Sequence, residues 1–192
     1  MASLKDIRLR IESTKNTQQI TKAMKLVSAA KLRRAQHNIV NMRPYALALK
    51  NVIADIALSQ KVSHPLMEKK SAVNKVLLVV LTSDRGLCGG FNANIIKFAE
   101  NYVKSGRAGT AKVDLFFIGR RGYDFFTKKG VPAVDYISKL EKDISYGLAS
   151  TVADQLLKKY LSGEYDEVRL IYNEFKSAIS QIVRCETLIP IS

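Results

Sequence analysis

The chain has 192 residues, of which 47% are hydrophobic and 25% charged, a globular composition with room for one ordinary domain and an extension. Its formal net charge of +14 favours an acidic partner: nucleic acid, an anionic membrane surface or an acidic protein. The sequence has no apolar stretch near the roughly 18 to 20 residues of a membrane span, so we expect no direct membrane insertion.

The first 43 residues contain neither glycine nor proline, and they are rich in side chains that lose little freedom in a helix. They predict one helix from about Ser3, with Ser3 as N-cap and Asp6 as its acidic N3 partner, roughly 60 Å long. Pro44 is expected to bend or end this helix, and apolar spacing over residues 45–58 indicates a continuation. Residues 1–58 are therefore predicted to form one long helix, bent near Pro44.

Apolar side chains at coiled-coil spacing occur in two groups along this helix. The groups are Leu4, Ile7 and Ile11, then Ile20, Met24 and Val27. Between them residues 12–19 include no apolar side chain, and Thr14, Gln18 and Thr21 stand where leucine is expected. So weak a stripe predicts a helix that needs a second helix to hold it. One interpretation is an amphipathic helix docked on its own domain; the other, favoured by its length, is a projecting rod with a basic exterior.

Residues 59–74 are mostly polar and are predicted to be a linker. The pattern then changes: residues 76–81 form a continuous apolar run, typical of a strand buried on both faces. Further strands are predicted over 113–118, 134–137, Glu167–Phe175 and Gln181–Ile189, and helices over 93–104, 123–129 and 148–161. Because strands and helices alternate, residues 75–192 are predicted to form a Rossmann-like α/β domain with a mainly parallel sheet.

A glycine-rich segment, TSDRGLCGG over residues 82–90, follows the first strand, where α/β folds commonly bind ligands. Its glycines match neither the G-x-G-x-x-G of dinucleotide sites nor the P-loop, so it predicts a tight turn that offers a contact surface, with a phosphate site as the alternative. The segment 119–122, GRRG, is predicted to be a basic turn.

Catalytic and metal-binding patterns do not emerge from the remaining reactive side chains. His37 and His64 lack acidic or cysteine neighbours at ligand spacing, and Cys88 and Cys185 form no Cys-x-x-Cys pair. We therefore expect surface histidines, free thiols, no cofactor and no metal.

Two long strings resemble a known family. Residues 15–36, KNTQQITKAMKLVSAAKLRRAQ, closely resemble the N-terminal helix of F-type ATP synthase gamma subunits, and residues 83–90, SDRGLCGG, resemble that family's second hallmark. The resemblance implies a non-catalytic rotor: the helix pairs with a C-terminal helix inside a ring of alpha and beta subunits, whose beta subunits carry the catalytic sites. The α/β domain then stands on the membrane c-ring and holds the epsilon subunit.

The resemblance also implies site residues. Met24 and Lys25 match the part of the helix that faces an acidic segment of the beta subunits, and Arg85 and Lys97 match basic positions that approach the same subunits. The candidate contacts with the alpha/beta ring are Met24, Lys25, Arg33, Arg34, Arg85 and Lys97.

The chain departs from the family in stopping at Ser192, where family members continue into the second shaft helix, so we expect a chain that lacks its C-terminal helix. Since no transit peptide precedes the helix, we expect a peripheral protein on the cytoplasmic face of a bacterial inner membrane. A basic-helix nucleic-acid-binding protein remains the alternative, although the polar interruption at residues 12–19 argues against a sustained zipper. An α/β nucleotide-binding enzyme is the third hypothesis.

Overall fold

A computed structural model describes residues 3–59, 64–104, 111–139, 144–177 and 179–191. The chain divides into two compact units, Met1–Ile56 and Ala57–Ser192. The helices are α1 (Leu4–Leu58), α2 (Phe91–Lys104), α3 (Arg120–Lys128) and α4 (Tyr146–Leu161). The strands are β1 (Lys75–Leu81), β2 (Lys112–Ile118), β3 (Ala133–Ile137), β4 (Glu167–Phe175) and β5 (Gln181–Ile189).

Helix α1 contains 55 residues, which corresponds to about 80 Å at the usual rise per residue. Its start confirms the predicted capping pair: Asp6 accepts a hydrogen bond from the Ser3 N–H (3.1 Å), and the Ser3 hydroxyl accepts one from the Lys5 N–H (3.4 Å). Pro44 lies inside the helix and does not end it. None of the residues of α1 is buried.

The α/β unit contains one five-stranded sheet in the order β3-β2-β1-β4-β5. Strands β3, β2, β1 and β4 run parallel, and β5 pairs antiparallel with β4 at the edge. This confirms the prediction of a mainly parallel sheet. β1 lies at the centre, and its residues 76–80 have no exposed surface, because helices cover both faces of a parallel sheet.

The core has two layers, one on each face of the sheet. Leu77 and Val79 point to the face covered by α4, where Leu156 and Tyr160 are buried against them. Leu78 and Val80 point to the opposite face, which α2 and α3 cover with residues that include Ile95 and Phe126. Alternate residues of one strand therefore serve two separate cores, as the period of two requires.

Sequence periodicity places the strands well but starts the helices too late. Helices α2, α3 and α4 begin two to three residues before their predicted starts at residues 93, 123 and 148. The basic turn predicted at 119–122 is wrong, because Arg120 is already the first residue of α3. The predicted linker 59–74 includes residues 60–63, which lie outside the described part of the chain.

Candidate functional site

Four of the six candidate contact residues lie on α1, and all four are exposed. They are Met24, Lys25, Arg33 and Arg34. Met24 has 56% of its surface exposed, a high value for a large apolar side chain. The helix therefore presents both cationic and apolar groups that are open to a partner.

The polar interruption of the apolar stripe has a local explanation. The hydroxyls of Thr14, Thr17 and Thr21 donate to backbone carbonyls one turn earlier, at Arg10, Ser13 and Thr17, over 2.8, 2.9 and 2.7 Å. Each threonine thus uses its hydrogen-bond donor within its own helix. These three threonines therefore offer a neighbouring helix neither a free hydroxyl donor nor much apolar surface, as expected of a weakly held seam.

The two histidines also have local partners. The amide of Asn41 lies 3.2 Å from Nδ1 of His37, one turn earlier on α1, and Nδ1 of His64 accepts the Leu66 N–H over 3.2 Å. Within the described ranges, no group of three His, Cys, Asp or Glu side chains could hold a metal ion. Nor does any helix in those ranges combine the length and apolar character that a membrane span requires.

The segment after β1 caps helix α3, which begins at the end of the neighbouring strand β2. Three consecutive residues supply acceptors to the first N–H groups of α3. Asp84 Oδ1 accepts from Arg120 (2.9 Å), the Ser83 carbonyl from Arg121 (3.1 Å) and the Thr82 hydroxyl from Gly122 (2.9 Å). Because helix N-termini lack intrahelical partners for these groups, the three contacts replace a local cap.

The junction between β2 and α3 requires glycine. Gly119 has a φ of 97°, and a Cβ atom there would lie 2.0 Å from the carbonyl oxygen of Thr82. That close approach also lets the Thr82 hydroxyl donate to the Gly119 carbonyl over 3.2 Å. Since Gly119 is the N-cap residue of α3 and has no side chain, the cap must come from elsewhere in the fold.

This arrangement leaves the N-terminus of α3 unsuited to a phosphate, whereas the phosphate alternative for the segment 82–90, which leads into α2, stays a prediction. A bound phosphate would need the free N–H groups of the helix N-terminus, and the Asp84 carboxylate already occupies that position. The second Asp84 oxygen accepts the Lys139 N–H after β3, over 2.8 Å. The Asp84 carboxylate thus links the segments that follow the carboxyl-terminal ends of β1, β2 and β3.

Asn92, in the first turn of α2, holds the segment 82–90 through hydrogen bonds to its residues Ser83 and Arg85. Its Oδ1 accepts the Ser83 N–H (2.9 Å), and its amide donates to the Ser83 hydroxyl (2.8 Å) and the Arg85 carbonyl (3.2 Å). Arg85 is exposed, while its backbone is fixed by these contacts. The predicted tight turn is present: Leu87 and Gly89 have φ values of 59° and 57°, and Leu87 is fully exposed.

Lys97, the sixth candidate residue, is exposed on α2 and lines an open groove between α2 and α3 together with Arg121 and Lys128. Glu100 lies in the same groove and pairs with Lys129 (2.8 Å) and Lys104 (2.9 Å). These hydrogen bonds, first from Lys129 and then from Lys104, lower the pKa of Glu100 to about 2. Asp124 also lines the groove, which is therefore an open surface with three basic and two acidic side chains.

Sequence reasoning did not find Asp84 and Asn92 as the residues that hold this loop. A signal was present, because Thr82, Ser83 and Asp84 are three successive residues of the types that cap helices. It was not decisive, since the helix that they cap begins 36 residues after Asp84.

Comparison with known proteins gives one consistent result. A family model described as ATP synthase matches residues 3–192. The ATP synthase gamma chain of Bdellovibrio bacteriovorus is 71% identical over 191 residues, which cover 100% of this chain and 65% of that relative. The gamma chain of Geobacter metallireducens is 48% identical, with 100% and 66% covered. The chain thus spans just under two thirds of the length of these two relatives.

Solved structures agree. The central stalk and c-ring structure of the Tetrahymena thermophila mitochondrial ATP synthase matches with a TM-score of 0.69 and 29% identity, over 89% of this chain and 72% of that one. A rotor structure of the Euglena gracilis mitochondrial ATP synthase matches with a TM-score of 0.60 at 20% identity, over 95% and 61%, and shows the likeness of fold alone. The nucleic-acid alternative finds no support among these matches.

Proposed function

This chain belongs to the family of ATP synthase gamma chains, and we propose that it forms part of the rotating central stalk of a bacterial F-type ATP synthase. In this role it couples ion flow through a membrane c-ring to ATP synthesis or hydrolysis on the beta subunits. It carries no catalytic residue itself, and it lies on the cytoplasmic face of the membrane, held there by other subunits.

The observation that carries this proposal is the exposure of α1. A helix of 55 residues without one buried residue cannot be stable alone in water, because isolated helices depend on packing of an apolar face. The exposed apolar groups of the stripe supply that face. A second shaft helix of the complete gamma chain covers it, and the ring of alpha and beta subunits surrounds the pair.

The basic candidate residues fit a shaft that must turn. Lys25, Arg33 and Arg34 are exposed cations, and individual charge contacts in water contribute about 0 to 1 kcal/mol. Met24 adds an apolar contact beside them. Contacts of this strength with acidic segments of the beta subunits can break and re-form during rotation, so they do not trap the shaft in one orientation.

On the α/β unit, Arg85 and Lys97 are the proposed contacts with the same ring. Arg85 suits this role because its backbone is fixed by Ser83 and Asn92 while the residue itself is exposed. We assign the epsilon subunit and the c-ring as further partners of this unit, from the membership of the family.

A chimera tests the proposal. This chain replaces the 191 matched residues in the gamma chain of B. bacteriovorus, which supplies the remaining length, and the product is expressed with the other subunits of that ATP synthase. We expect a stoichiometric complex that hydrolyses ATP and pumps ions. A chimera whose circular dichroism shows a folded chain, but which does not co-purify with alpha and beta subunits, would refute the proposal.

Single substitutions in the chimera test the role of the basic residues. Lys25→Ala is expected to lower ATP-driven pumping modestly, by about the effect of one exposed charge contact, and Lys50→Ala on the same helix serves as the matched control. Loss of all turnover from Lys25→Ala alone would contradict a shaft held by many weak contacts.

A further inference from the structure

The segment between α1 and β1 has the composition of a flexible linker, yet its described part, residues 64–74, and the first residue of β1, Lys75, are fastened to the rest of the α/β unit at three places. Polar linkers usually behave as flexible chains that tolerate twisting. The contacts of this segment are inconsistent with that behaviour.

The first attachment joins this segment to the end of the last strand. The Ile191 N–H donates to the Leu66 carbonyl over 2.7 Å, and the Tyr160 hydroxyl donates to the Pro65 carbonyl over 3.4 Å. The Leu66 side chain packs against the same core layer that includes buried Ile189. The stretch before β1 and the stretch after β5 therefore lie side by side, and α4 supports them.

The second attachment is Asp166, at the start of β4. Its carboxylate accepts hydrogen bonds from Lys70 Nζ (2.6 Å), from the Asn74 N–H (2.8 Å) and from the Lys75 N–H (2.9 Å). The Asp166 N–H in turn donates to the Lys75 carbonyl over 2.8 Å. The Asp166 side chain is 16% exposed and that of Lys70 is 40% exposed, so the carboxylate is partly shielded from water while the ion pair lies at the surface.

The third attachment continues this network into the core. Lys75 Nζ lies 3.3 Å from Asp114 Oδ2 and 4.5 Å from the centre of the Tyr165 ring. Tyr165 is fully buried, and its hydroxyl donates to Asp114 over 3.1 Å. The stretch 70–75 is therefore anchored to Asp114 of β2 and to Tyr165 and Asp166 just before β4, of which Tyr165 is fully buried.

We propose that these three attachments form a torque clamp, defined by Leu66, Lys70, Lys75, Tyr160, Asp166 and Ile191. The clamp makes the segment before β1 turn with the α/β unit instead of twisting as a free chain. Asp166 is its main positioning residue, since one carboxylate holds a side chain and two backbone N–H groups. The inference rests on the proposed rotor function, in which rotation has to pass along the chain between the α/β unit and α1.

The chimeric ATP synthase described above tests the clamp. Asp166→Asn keeps the shape of the side chain but removes the charge that binds Lys70. We expect ATP hydrolysis to stay near that of the unmodified chimera, while ions pumped per ATP under load fall by at least about two-fold. The angular fluctuations of a probe on the rotor should widen. Asp154→Asn removes an exposed carboxylate on α4 outside the three attachments; it is the matched control and should change neither quantity.

Lys70→Met is the second variant, because it leaves the two backbone hydrogen bonds to Asp166 in place and keeps the clamp testable if Asp166→Asn does not fold. A smaller fall in pumping per ATP in the same direction is expected. Proportional loss of hydrolysis and pumping in these variants would show a merely structural role and overturn the clamp, as would unchanged pumping per ATP. Failure of the unmodified chimera to assemble would instead refute the proposed function.

Discussion

Helix α1 and strand β1 contain similar apolar side chains, but these are exposed on α1 and buried in β1. Ile7 and Ile11 of α1 keep about half of their surface exposed, whereas the five central residues of β1 have none exposed. The difference teaches that the α/β unit supplies its own apolar partners, whereas the apolar side chains of α1 stay exposed, as the proposed shaft role requires.

The two regions also handle charge differently. In the α/β unit, acidic groups hold basic ones at short range, as Glu100 does with Lys104 and Lys129 and Asp166 with Lys70. In the first 45 residues, ten basic residues stand against only two acidic ones, a balance of +8. The α/β unit, residues 57–192, holds 20 basic against 14 acidic side chains, a balance of +6, and therefore pairs a larger share of its charge internally than the first 45 residues do.

The largest expected effect comes from the core of the α/β unit. Phe117→Ala should lower the free energy of unfolding by about 3 to 5 kcal/mol, because it removes a fully buried ring that contacts Phe126 and Tyr123. Urea unfolding followed by the tyrosine signal measures this change. Leu26→Ala on α1 is the matched control and should shift the same transition by less than about 0.5 kcal/mol. Equal effects would break the comparison between the two regions.

A second effect tests the junction between β2 and α3. Gly119→Ala should destabilise the α/β unit by about 2 to 4 kcal/mol, since left-handed φ strain adds to a clash with the Thr82 carbonyl. Gly163→Ala has a similar φ of 77° but meets no atom within 4 Å, so it should cost only the strain, about 1 to 2 kcal/mol. Equal losses in the two variants would mean that the close approach contributes nothing.

The helix caps of the two regions provide a third comparison. Asp84→Ala removes acceptors for Arg120 and Lys139 and should lower the stability of the α/β unit by about 1 to 2 kcal/mol. Asp6→Ala removes the cap partner of Ser3 and should only reduce helical circular dichroism slightly. Thermal unfolding followed by the tyrosine signal and by helical circular dichroism separates the effects of the two substitutions. An unchanged Tm for Asp84→Ala would refute its capping role.

The smallest expected effect is a pH dependence. The hydrogen bond from Lys70, followed by those from the backbone of Asn74 and Lys75, holds the pKa of Asp166 below its ordinary value of 3.8. The resulting stabilisation is complete above pH 3.8 and is lost as the pH falls through the lowered folded-state value.

In the Asp166→Asn variant the free energy of unfolding should therefore fall less steeply as the pH drops below 3.8. Its pH dependence near neutrality should not change. Urea unfolding at a series of acidic pH values measures this, with Asp6→Asn on α1 as the control. A curve for Asp166→Asn that parallels the unmodified chain throughout the acidic range would contradict it.

Much of the fold could be predicted from local patterns. The absence of breakers indicated α1, and Ser3 with Asp6 marked its start. Continuous apolar runs located β1, and the bounds of β4 and β5 agree with those predicted. The exposure of Met24, Lys25, Arg33 and Arg34 follows from a weak apolar stripe on a basic helix. Their contacts with a ring of other subunits remain predictions.

What the sequence by itself determined is the type and order of the elements and the family, because periodicity, capping pairs and long characteristic strings involve residues close together in the chain. Only the tertiary structure decided where α3 begins, which residues fill its N-terminus, and that the segment before β1 is fastened. Asp84 caps a helix that begins 36 residues later in the chain, and Lys70 pairs with Asp166, which lies 96 residues later. Such pairs meet only after parallel pairing has placed the strand ends side by side.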